Sequence, residues 1–293
     1  MTDPYRIDCG RVQRSFGRAA RDYDAAAVLQ SRVRAELLDR LEVVRLEPTV
    51  ILDLGAGTGH ASLALKQRYR GAQVVALDLA PGMLQEAGRR QTLLRRFRRV
   101  CADAAALPLG TASVDLVFSN LMLQWCNDPD AVFTECRRVL KPGGLLTFTT
   151  FGPDTLVELR RAWAAAADGH THVNRFIDMH DLGDALVRSG LVESVMDVER
   201  YTLTYSTVRD LMRDLKAIGA HNANAGRPRG LTGRGAFERM AAEYETHRRE
   251  GRLPATHEVV FGQAWAPVSP SRAGAVPGEV TVPIGRIGRR RPG

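Results

Sequence analysis

Apolar and polar positions follow an alternating rhythm over the first half of the chain. Short, mostly apolar runs that are typical of buried strands lie at 49–54, 73–79, 98–104, 114–120 and 145–151. Segments with helical periodicity separate them, at 60–69, 81–90 and 129–140. This alternation predicts an α/β fold with a doubly wound sheet, a parallel core and right-handed crossovers.

The rhythm changes at both ends of this region. Before it, residues 11–46 predict one long helix that stops ahead of Pro48. After residue 152 the pattern predicts helices at 154–167, 181–189, 207–218 and 234–250, and strands at 194–205 and 256–265. Ligands of an open sheet bind outside the carboxyl ends of its strands, so we expect this extra helical material to form a lid.

Charge is unevenly distributed along the 293 residues, which carry a net charge of +8. Residues 268–293 hold five arginines and one glutamate among many Pro, Gly and Ser residues, which predicts a disordered basic tail. "GRRRPG" could contact nucleic acid, but a solubilising tail or a cloning or reading-frame remnant is the favoured interpretation. We therefore expect residues 1–267 to form a single domain with no nucleic-acid partner.

Three absences restrict the class of protein. No apolar run approaches the roughly 20 residues of a membrane span, and "MTDPYRIDCG" has no secretory pattern. The four cysteines show neither CxxC pairing nor metal-ligand spacing. We expect a cytoplasmic protein without a membrane partner or a metal.

The stretch "ILDLGAGTG" suggests a nucleotide ligand of a particular kind. Its glycines are spaced GxGxG after Asp53, and His60 stands where a dinucleotide fingerprint would place its third glycine. Asp78 ends the second predicted strand, where an acid can bind both ribose hydroxyls, and Asp103 ends the third, where it could accept from an adenine amino group. An aspartate that ends a strand is often only a helix cap. Together, however, these positions favour S-adenosylmethionine over a nicotinamide cofactor.

Residues 50–150 also resemble the class I S-adenosylmethionine-dependent methyltransferases, through "DLGAGTG", "ALDLAPGML", "CADAAALPL" and "VLKPGGLLTF". The resemblance implies a Rossmann-like methyltransferase sheet, mostly parallel with an antiparallel last strand, and helical lid segments at about 153–180 and 207–251. It implies that the glycine loop contacts the methionine half, that Met83 lies near the adenine or in an ordinary core contact, and that Asn120 and Leu121 line the methionine side. The implied cofactor-binding residues are Asp53, Gly55, Ala56, Gly57, Gly59, Asp78, Leu79, Met83, Asp103, Ala104, Asn120 and Leu121.

The segments outside the cofactor motifs restrict the class of molecule that can accept the methyl group. The fourth strand ends in "FSNLMLQW", without the Asn/Asp-Pro-Pro-aromatic motif that usually accompanies methylation of amino groups. "FGRAARDYD", "HVNRFIDMHDLGDALVRSGL" and "LMRDLKAIGAHNANAGRPRGLTG" resemble the malonyl-acyl-carrier-protein O-methyltransferase family of biotin synthesis, over about residues 12–266. The resemblance implies methylation of the free carboxylate of a malonyl thioester, carried on acyl carrier protein or coenzyme A, at an early step of pimeloyl synthesis.

This reaction needs neither a general base nor a metal, because a carboxylate is already ionised at pH 7. Positioning of the reactants then becomes the main catalytic requirement. The catalytic candidates are Arg175, Tyr23 and Lys216, with His221 and Asn222 as further polar candidates. Tyr23 could instead only pack its helix onto the domain.

A basic lid would also attract an acidic acyl carrier protein. The basic candidates are Arg160, Arg161, Arg188, Lys216, Arg227 and Arg229, each of which could equally be an ordinary solvated charge. A quinone- or sterol-type methyltransferase, a nucleic-acid methyltransferase and a non-catalytic S-adenosylmethionine-binding regulator remain as alternatives. The sequence leaves open the carrier, the residue that holds the carboxylate and the oligomeric state.

Overall fold

The structure is a computed structural model that describes residues 3–166, 170–220, 222–227, 230 and 233–268. The candidates His221 and Arg229 lie outside these residues, and so does the predicted tail beyond Val268. The extent of the predicted domain, 1–267, therefore stays a prediction.

A seven-stranded sheet with the order β3-β2-β1-β4-β5-β7-β6 forms the centre of the fold. Its strands are β1 (Val50–Leu54), β2 (Gln73–Asp78), β3 (Arg98–Cys101), β4 (Val114–Asn120), β5 (Leu140–Phe151), β6 (Val192–Tyr205) and β7 (Leu253–Trp265). The first five strands pair in parallel, and β7 runs antiparallel to β5 and β6. The predicted doubly wound sheet with an antiparallel last strand is confirmed.

Helices cover both faces of this sheet and extend beyond its end. They are α1 (Cys9–Ala19), α2 (Tyr23–Ala26), α3 (Val28–Arg40), α4 (His60–Arg68), α5 (Pro81–Arg90), α6 (Pro129–Val139), α7 (Val157–Ala166), α8 (Met179–Arg188), α9 (Val208–Ala217) and α10 (Arg234–Glu245). Among the described residues, no helix is both long enough and apolar enough to cross a membrane.

The single helix predicted over 11–46 is wrong, because the chain turns twice within it. The turns lie at residues 20–22 and at Ala27. Between them, Asp24 of α2 accepts a hydrogen bond from Thr58 Oγ1 through its Oδ1 at 2.6 Å. Its Oδ2 pairs with Arg90 and lies 3.2 Å from His60 Nε2. These contacts tie the short helix α2 to the glycine loop, which local periodicity could not indicate.

The core has three main parts. Two apolar layers flank the sheet, one centred on Leu54, Phe133 and Phe148, the other on Leu37 and Phe118. A third cluster, built from α7, α9, α10 and the start of β7, lies to one side and includes Trp163, Met240 and Tyr244. The helical segments inserted around β6 therefore possess a core of their own.

Candidate active site

The carboxyl ends of β1, β2 and β4 meet where the strand order changes direction, between β1 and β4. This is the switch point at which open α/β sheets bind ligands. A cavity of about 230 Å³ lies here, and we call it the cofactor cavity. The predicted residues that line it are Tyr23, Gly55, Gly57, Asp78, Leu79, Met83, Asp103, Ala104, Asn120 and Leu121.

The three loop glycines have positive φ values but different surroundings. A Cβ on Gly59 would lie 2.8 Å from Ala87 Cβ, and one on Gly55 would overlap the side chain of Met122. A Cβ on Gly57 would meet no atom within 4 Å, although Gly57 lines the cavity. Gly55 and Gly59 thus permit close packing of the protein on itself, and Gly57 leaves space for a ligand.

Asp78 is held in place by main-chain donors. Its Oδ2 accepts from Gly57 N at 2.9 Å, and its Oδ1 accepts from Ala80 N at 2.8 Å. Burial raises the pKa of Asp78. Burial, followed by the nearby charge of Asp78, also raises the pKa of the Tyr23 phenol, so Tyr23 stays protonated and acts as a donor rather than a base.

Part of the cofactor cavity wall is mainly apolar. Leu79, Met83 and Ala104 line it beside Asp103, whose Oδ1 accepts from Ala105 N at 2.9 Å. An acid at the end of β2, an apolar slot and the open approach at Gly57 suit a ribose joined to a flat base. The donor set therefore fits an adenosyl ligand.

Asn120 and Leu121 form the third side, after β4. Asn120 Oδ1 accepts from Thr149 Oγ1 at 3.0 Å, and its Nδ2 donates to Gln30 O at 3.2 Å. Leu121 has a φ of +50°, an unfavourable value for a residue with a Cβ, and its N donates to Thr149 O. Hydrogen bonds to β5 hold this strained turn at the cavity wall.

Three predicted cofactor residues do not line the cavity. Asp53 is buried below the loop, where its Oδ2 accepts from Ser62 Oγ at 2.5 Å and burial raises its pKa to about 7. Ala56 is buried, and Gly59 packs on α5. In the structure these three residues support the loop from below, and their place in cofactor binding stays a prediction.

Helix α1 contributes a face of the cavity that the motif analysis missed. Cys9, Val12, Gln13 and Phe16 line it at helical spacing, and Gln13 Nε2 donates to Leu79 O at 2.9 Å. Phe16 meets Trp125 edge-on, with 5.1 Å between ring centroids. The i, i+3, i+4, i+7 pattern was present in the sequence, but nothing local indicated which way this face points.

A second cavity of about 410 Å³, which we call the acceptor cavity, adjoins the first and shares Trp125 with it. The hydrogen bond from Asn120 to Gln30 links the two linings. Apolar side chains of α7 and α9, among them Leu159, Trp163, Met212 and Leu215, form part of the wall, together with polar groups from distant segments. These polar residues are Arg11, Gln30, Gln124, Thr155, His172, Asn174, Lys216, Asn222, Arg227 and His257.

His257 is the most buried ionisable group of the acceptor cavity, with 5% of its surface exposed. Its Nδ1 lies 3.1 Å from Ala255 O, a contact that requires the Nδ1–H tautomer. Burial lowers its pKa to about 4, so the ring is neutral at pH 7. This geometry leaves Nε2 as an acceptor.

The three predicted catalytic residues do not lie together. Tyr23 lines the cofactor cavity and Lys216 the acceptor cavity, whereas Arg175 is exposed in a third cleft beside Arg160 and Asp178, which borders the acceptor cavity at Gln124, Asn174 and Phe176. Asn174 and Phe176, on either side of Arg175, line the acceptor cavity. The prediction that groups Arg175 with the other two is therefore not supported by its position in the extended segment before α8.

Comparison with known proteins identifies the family. Residues 52–148 match a family model described as a methyltransferase domain. The malonyl-[acyl-carrier protein] O-methyltransferase of Methylovorus sp. is 57% identical over 273 residues, which cover 90% of this chain and 91% of the relative. The chain belongs to the malonyl-[acyl-carrier protein] O-methyltransferase family.

Other relatives agree with this family assignment. The enzyme of the same name from Laribacter hongkongensis is 54% identical, covering 93% of this chain and 94% of its own. Among solved structures, the YcgJ protein of Bacillus subtilis superposes with a TM-score of 0.56 at 14% identity, covering 80% of this chain and 98% of its own, which shows the shared fold. Because the malonyl-[acyl-carrier protein] O-methyltransferase relatives match most of this chain, the likeness includes helical segments around the acceptor cavity.

Proposed function

We propose that this protein transfers a methyl group from S-adenosylmethionine to the free carboxylate of malonyl-acyl carrier protein, an early step of biotin synthesis. Family membership and the fold support the methyl donor. The acceptor cavity, which meets the cofactor cavity at Trp125 and holds Lys216, is the observation that carries the choice of acceptor. Lys216, like Arg11 and Arg227, is a cation in the lining, and a cation close to apolar side chains such as Trp163 and Met212 is suited to an acyl chain that ends in a carboxylate.

The cofactor cavity has a distinct group for each part of the cofactor. We assign the ribose hydroxyls to Asp78, the adenine to the slot of Leu79, Met83 and Ala104 beside Asp103, and the methionine half to the side of Gly57 and Asn120. When bound, S-adenosylmethionine supplies a methyl group on a sulfonium, which a carboxylate can accept directly to give the methyl ester.

The protein's own work is positioning and exclusion of water. Lys216 holds one oxygen of the malonyl carboxylate and leaves the other free to face the cofactor cavity. Tyr23 and Phe16 close that cavity on the α1–α2 side, and their ring centroids are 6.3 Å apart. Neutral His257 accepts a hydrogen bond from an amide or hydroxyl of the arm that carries the acyl group. No proton has to be removed from the acceptor, and holding two reactants in line is worth about 7–11 kcal/mol.

Docking of an acidic carrier protein involves a smaller set of basic residues than the sequence suggested. Arg188 belongs to α8, where its Nε and Nη2 bind Asp130 at 2.7 and 3.0 Å. Arg160 donates to the carbonyls of Pro153 and Thr155. The remaining basic residues are exposed Arg161 and, at the acceptor cavity, Lys216 and Arg227. We assign to them the electrostatic attraction of the acidic carrier protein.

A methyl-transfer assay with labelled S-adenosylmethionine tests the proposed function. Malonyl-acyl carrier protein should gain base-labile label, and acetyl-acyl carrier protein, which lacks a free carboxylate, should gain little. Succinyl-acyl carrier protein measures the tolerance for chain length. Binding of the cofactor without label on malonyl-acyl carrier protein would refute the proposal and favour a quinone- or sterol-type acceptor or a regulatory role.

A further inference from the structure

A groove rich in arginine lies outside the acceptor cavity. Its lining consists of Arg6, Ile7, Asp8, Arg11, Ala225, Arg227 and Gly230. Arg11, Arg227 and Gly230 also line the acceptor cavity, so the two spaces border each other at these residues. With three guanidinium groups and one carboxylate, this arginine groove carries a net positive charge.

Main-chain pairing brings these arginines together. The segment of residues 4–8 runs antiparallel to residues 223–226: Asp8 N donates to Ala223 O at 2.9 Å and Ala225 N to Arg6 O at 2.8 Å. Asn127 fixes the same segment from the other side, accepting from Ile7 N at 2.7 Å through Oδ1. The groove is therefore built from two segments that are more than 200 residues apart in sequence.

Two of the guanidinium groups are oriented but not neutralised by close acids. Arg11 Nε donates to Asn222 O at 3.1 Å, and Arg227 Nη1 donates to Asn224 O at 2.8 Å. Arg227 Nη2 forms a loose salt bridge with Asp8 Oδ2 at 3.6 Å. A guanidinium has five N–H donors, so each keeps donors for a tetrahedral anion such as a phosphate.

The three spaces border one another in a series, and the cleft that holds Arg175 also borders both ends of this series, at Cys126, Asn127, Arg6 and Ile7. The cofactor cavity meets the acceptor cavity at Trp125, and the acceptor cavity meets the arginine groove at Arg11 and Arg227. Lys216 lines only the middle space, and exposed Arg6 does not line it. A malonyl thioester on a phosphopantetheine arm has the same order of chemistry: a carboxylate, an arm with amides, and then a phosphate.

We propose that Arg6, Arg11 and Arg227 bind the phosphate of the phosphopantetheine arm that carries the acyl group. This inference rests on the proposed function and assigns the arm's phosphate to the arginine groove. This phosphate is a diester on a carrier protein and part of a diphosphate in coenzyme A. The groove would recognise the negatively charged phosphate oxygens that both carriers present next to the pantetheine. Arginine suits this task because its planar fork matches phosphate oxygens.

Paired substrates that differ only in the phosphate provide the test. We expect the wild-type chain to methylate malonyl-phosphopantetheine with a kcat/KM roughly 10–100 times that of malonyl-pantetheine, as for a charge-assisted contact. Arg6→Gln should reduce this ratio several-fold, and Arg227→Gln should reduce it further. Since both substrates are measured on one preparation, partial misfolding cancels from the ratio. Arg96→Gln, which changes an exposed arginine in the loop before β3, is the matched control and should keep the ratio.

Direct binding separates this inference from the proposed function. Calorimetry with S-adenosylhomocysteine present should show tighter binding of phosphopantetheine than of pantetheine, whether or not any malonyl substrate is methylated. Equal affinities, or a ratio that Arg6→Gln and Arg227→Gln both leave intact, would overturn the phosphate assignment. Comparable losses on malonyl-acyl carrier protein and malonyl-coenzyme A would support recognition of the shared phosphate. A failure to methylate malonyl-acyl carrier protein, with phosphate-dependent binding preserved, would refute only the proposed function.

Discussion

The cofactor cavity and the acceptor cavity are built in different ways. Ten predicted residues line the cofactor cavity, and nine of them come from one continuous stretch between Gly55 and Leu121. The acceptor cavity instead draws on α1, α3, the turn at Leu123–Trp125, α7, α9 and β7, and on Asn222, Arg227 and Gly230. The first arises from the ends of successive parallel strands, and the second exists only when distant segments pack.

This difference predicts which measured quantity each region controls. Main-chain donors fix Asp78, so changes there should alter the affinity for the cofactor. Side chains on the inserted helices, which possess a separate apolar core, surround the acceptor. Changes there should alter the KM for the malonyl substrate and leave cofactor affinity nearly constant.

Replacement of Asp78 should have the largest effect on the cofactor side. Hydrogen bonds to a charged group contribute about 1.5–3 kcal/mol each, so Asp78→Asn should weaken S-adenosylhomocysteine binding by roughly 100-fold in a titration. Asp103→Asn is the matched control. It should weaken S-adenosylhomocysteine binding less, because Asp103 is assigned one hydrogen bond to the adenine whereas Asp78 is assigned two to the ribose. Unchanged affinity in a folded Asp78→Asn protein would contradict the assignment of Asp78 to the ribose.

Lys216 tests the acceptor side. Lys216→Met keeps the length of the side chain and removes its charge, so the KM for malonyl-acyl carrier protein should rise about 10–100-fold through loss of a charged hydrogen bond. Arg175→Met, outside the acceptor cavity, should stay within about twofold of wild type on the same scale. If Arg175→Met raised the KM and Lys216→Met did not, Arg175 and not Lys216 would be the residue that binds the malonyl carboxylate.

The glycine loop separates ligand contact from packing within a single motif. Gly57→Ala should lower cofactor affinity about tenfold with a stability loss of about 1–2 kcal/mol, the strain of a left-handed residue. Gly59→Ala should lose more stability, since its Cβ would also collide with Ala87, but its folded fraction should bind cofactor normally. Thermal unfolding and cofactor titration of both variants would show whether the two effects separate.

The pH dependence of stability should have its main source below the loop, at Asp53, which contacts no ligand in this assignment. The pKa of Asp53 is about 7 in the folded chain and near 4 when unfolded, so the folded state binds the extra proton between these values. Stability should therefore fall as pH rises from about 4 to 7, by at most about 1.4 kcal/mol per pH unit. Asp53→Asn should flatten this slope in urea unfolding of the cofactor-free chain. A slope unchanged by the substitution would mean that Asp53 stays ionised throughout.

The sequence alone determined much of the fold and the cofactor side. The pattern of apolar and polar residues placed all seven strands. The GxGxG spacing with Asp78 and Asp103 located the carboxyl-end cavity, because strand ends and tight turns are local features. The same local rules misjudged the N-terminal helix, whose break depends on Asp24 reaching Thr58 and Arg90. Local rules also could not distinguish the roles of the two glycines: Gly57 faces open space, whereas Gly59 packs on Ala87.

Only the tertiary structure decided the acceptor side. Sequence chemistry could nominate Arg175 and Lys216 equally, since both are cations in predicted lid segments. Packing placed Lys216 in the acceptor cavity, left Arg175 in another cleft and brought Arg6 next to Arg227 through pairing of the chain's beginning with residues 223–226. Strands and turns are determined largely by residues that are neighbours in the sequence, whereas a cavity between helices depends on contacts between residues far apart in the chain.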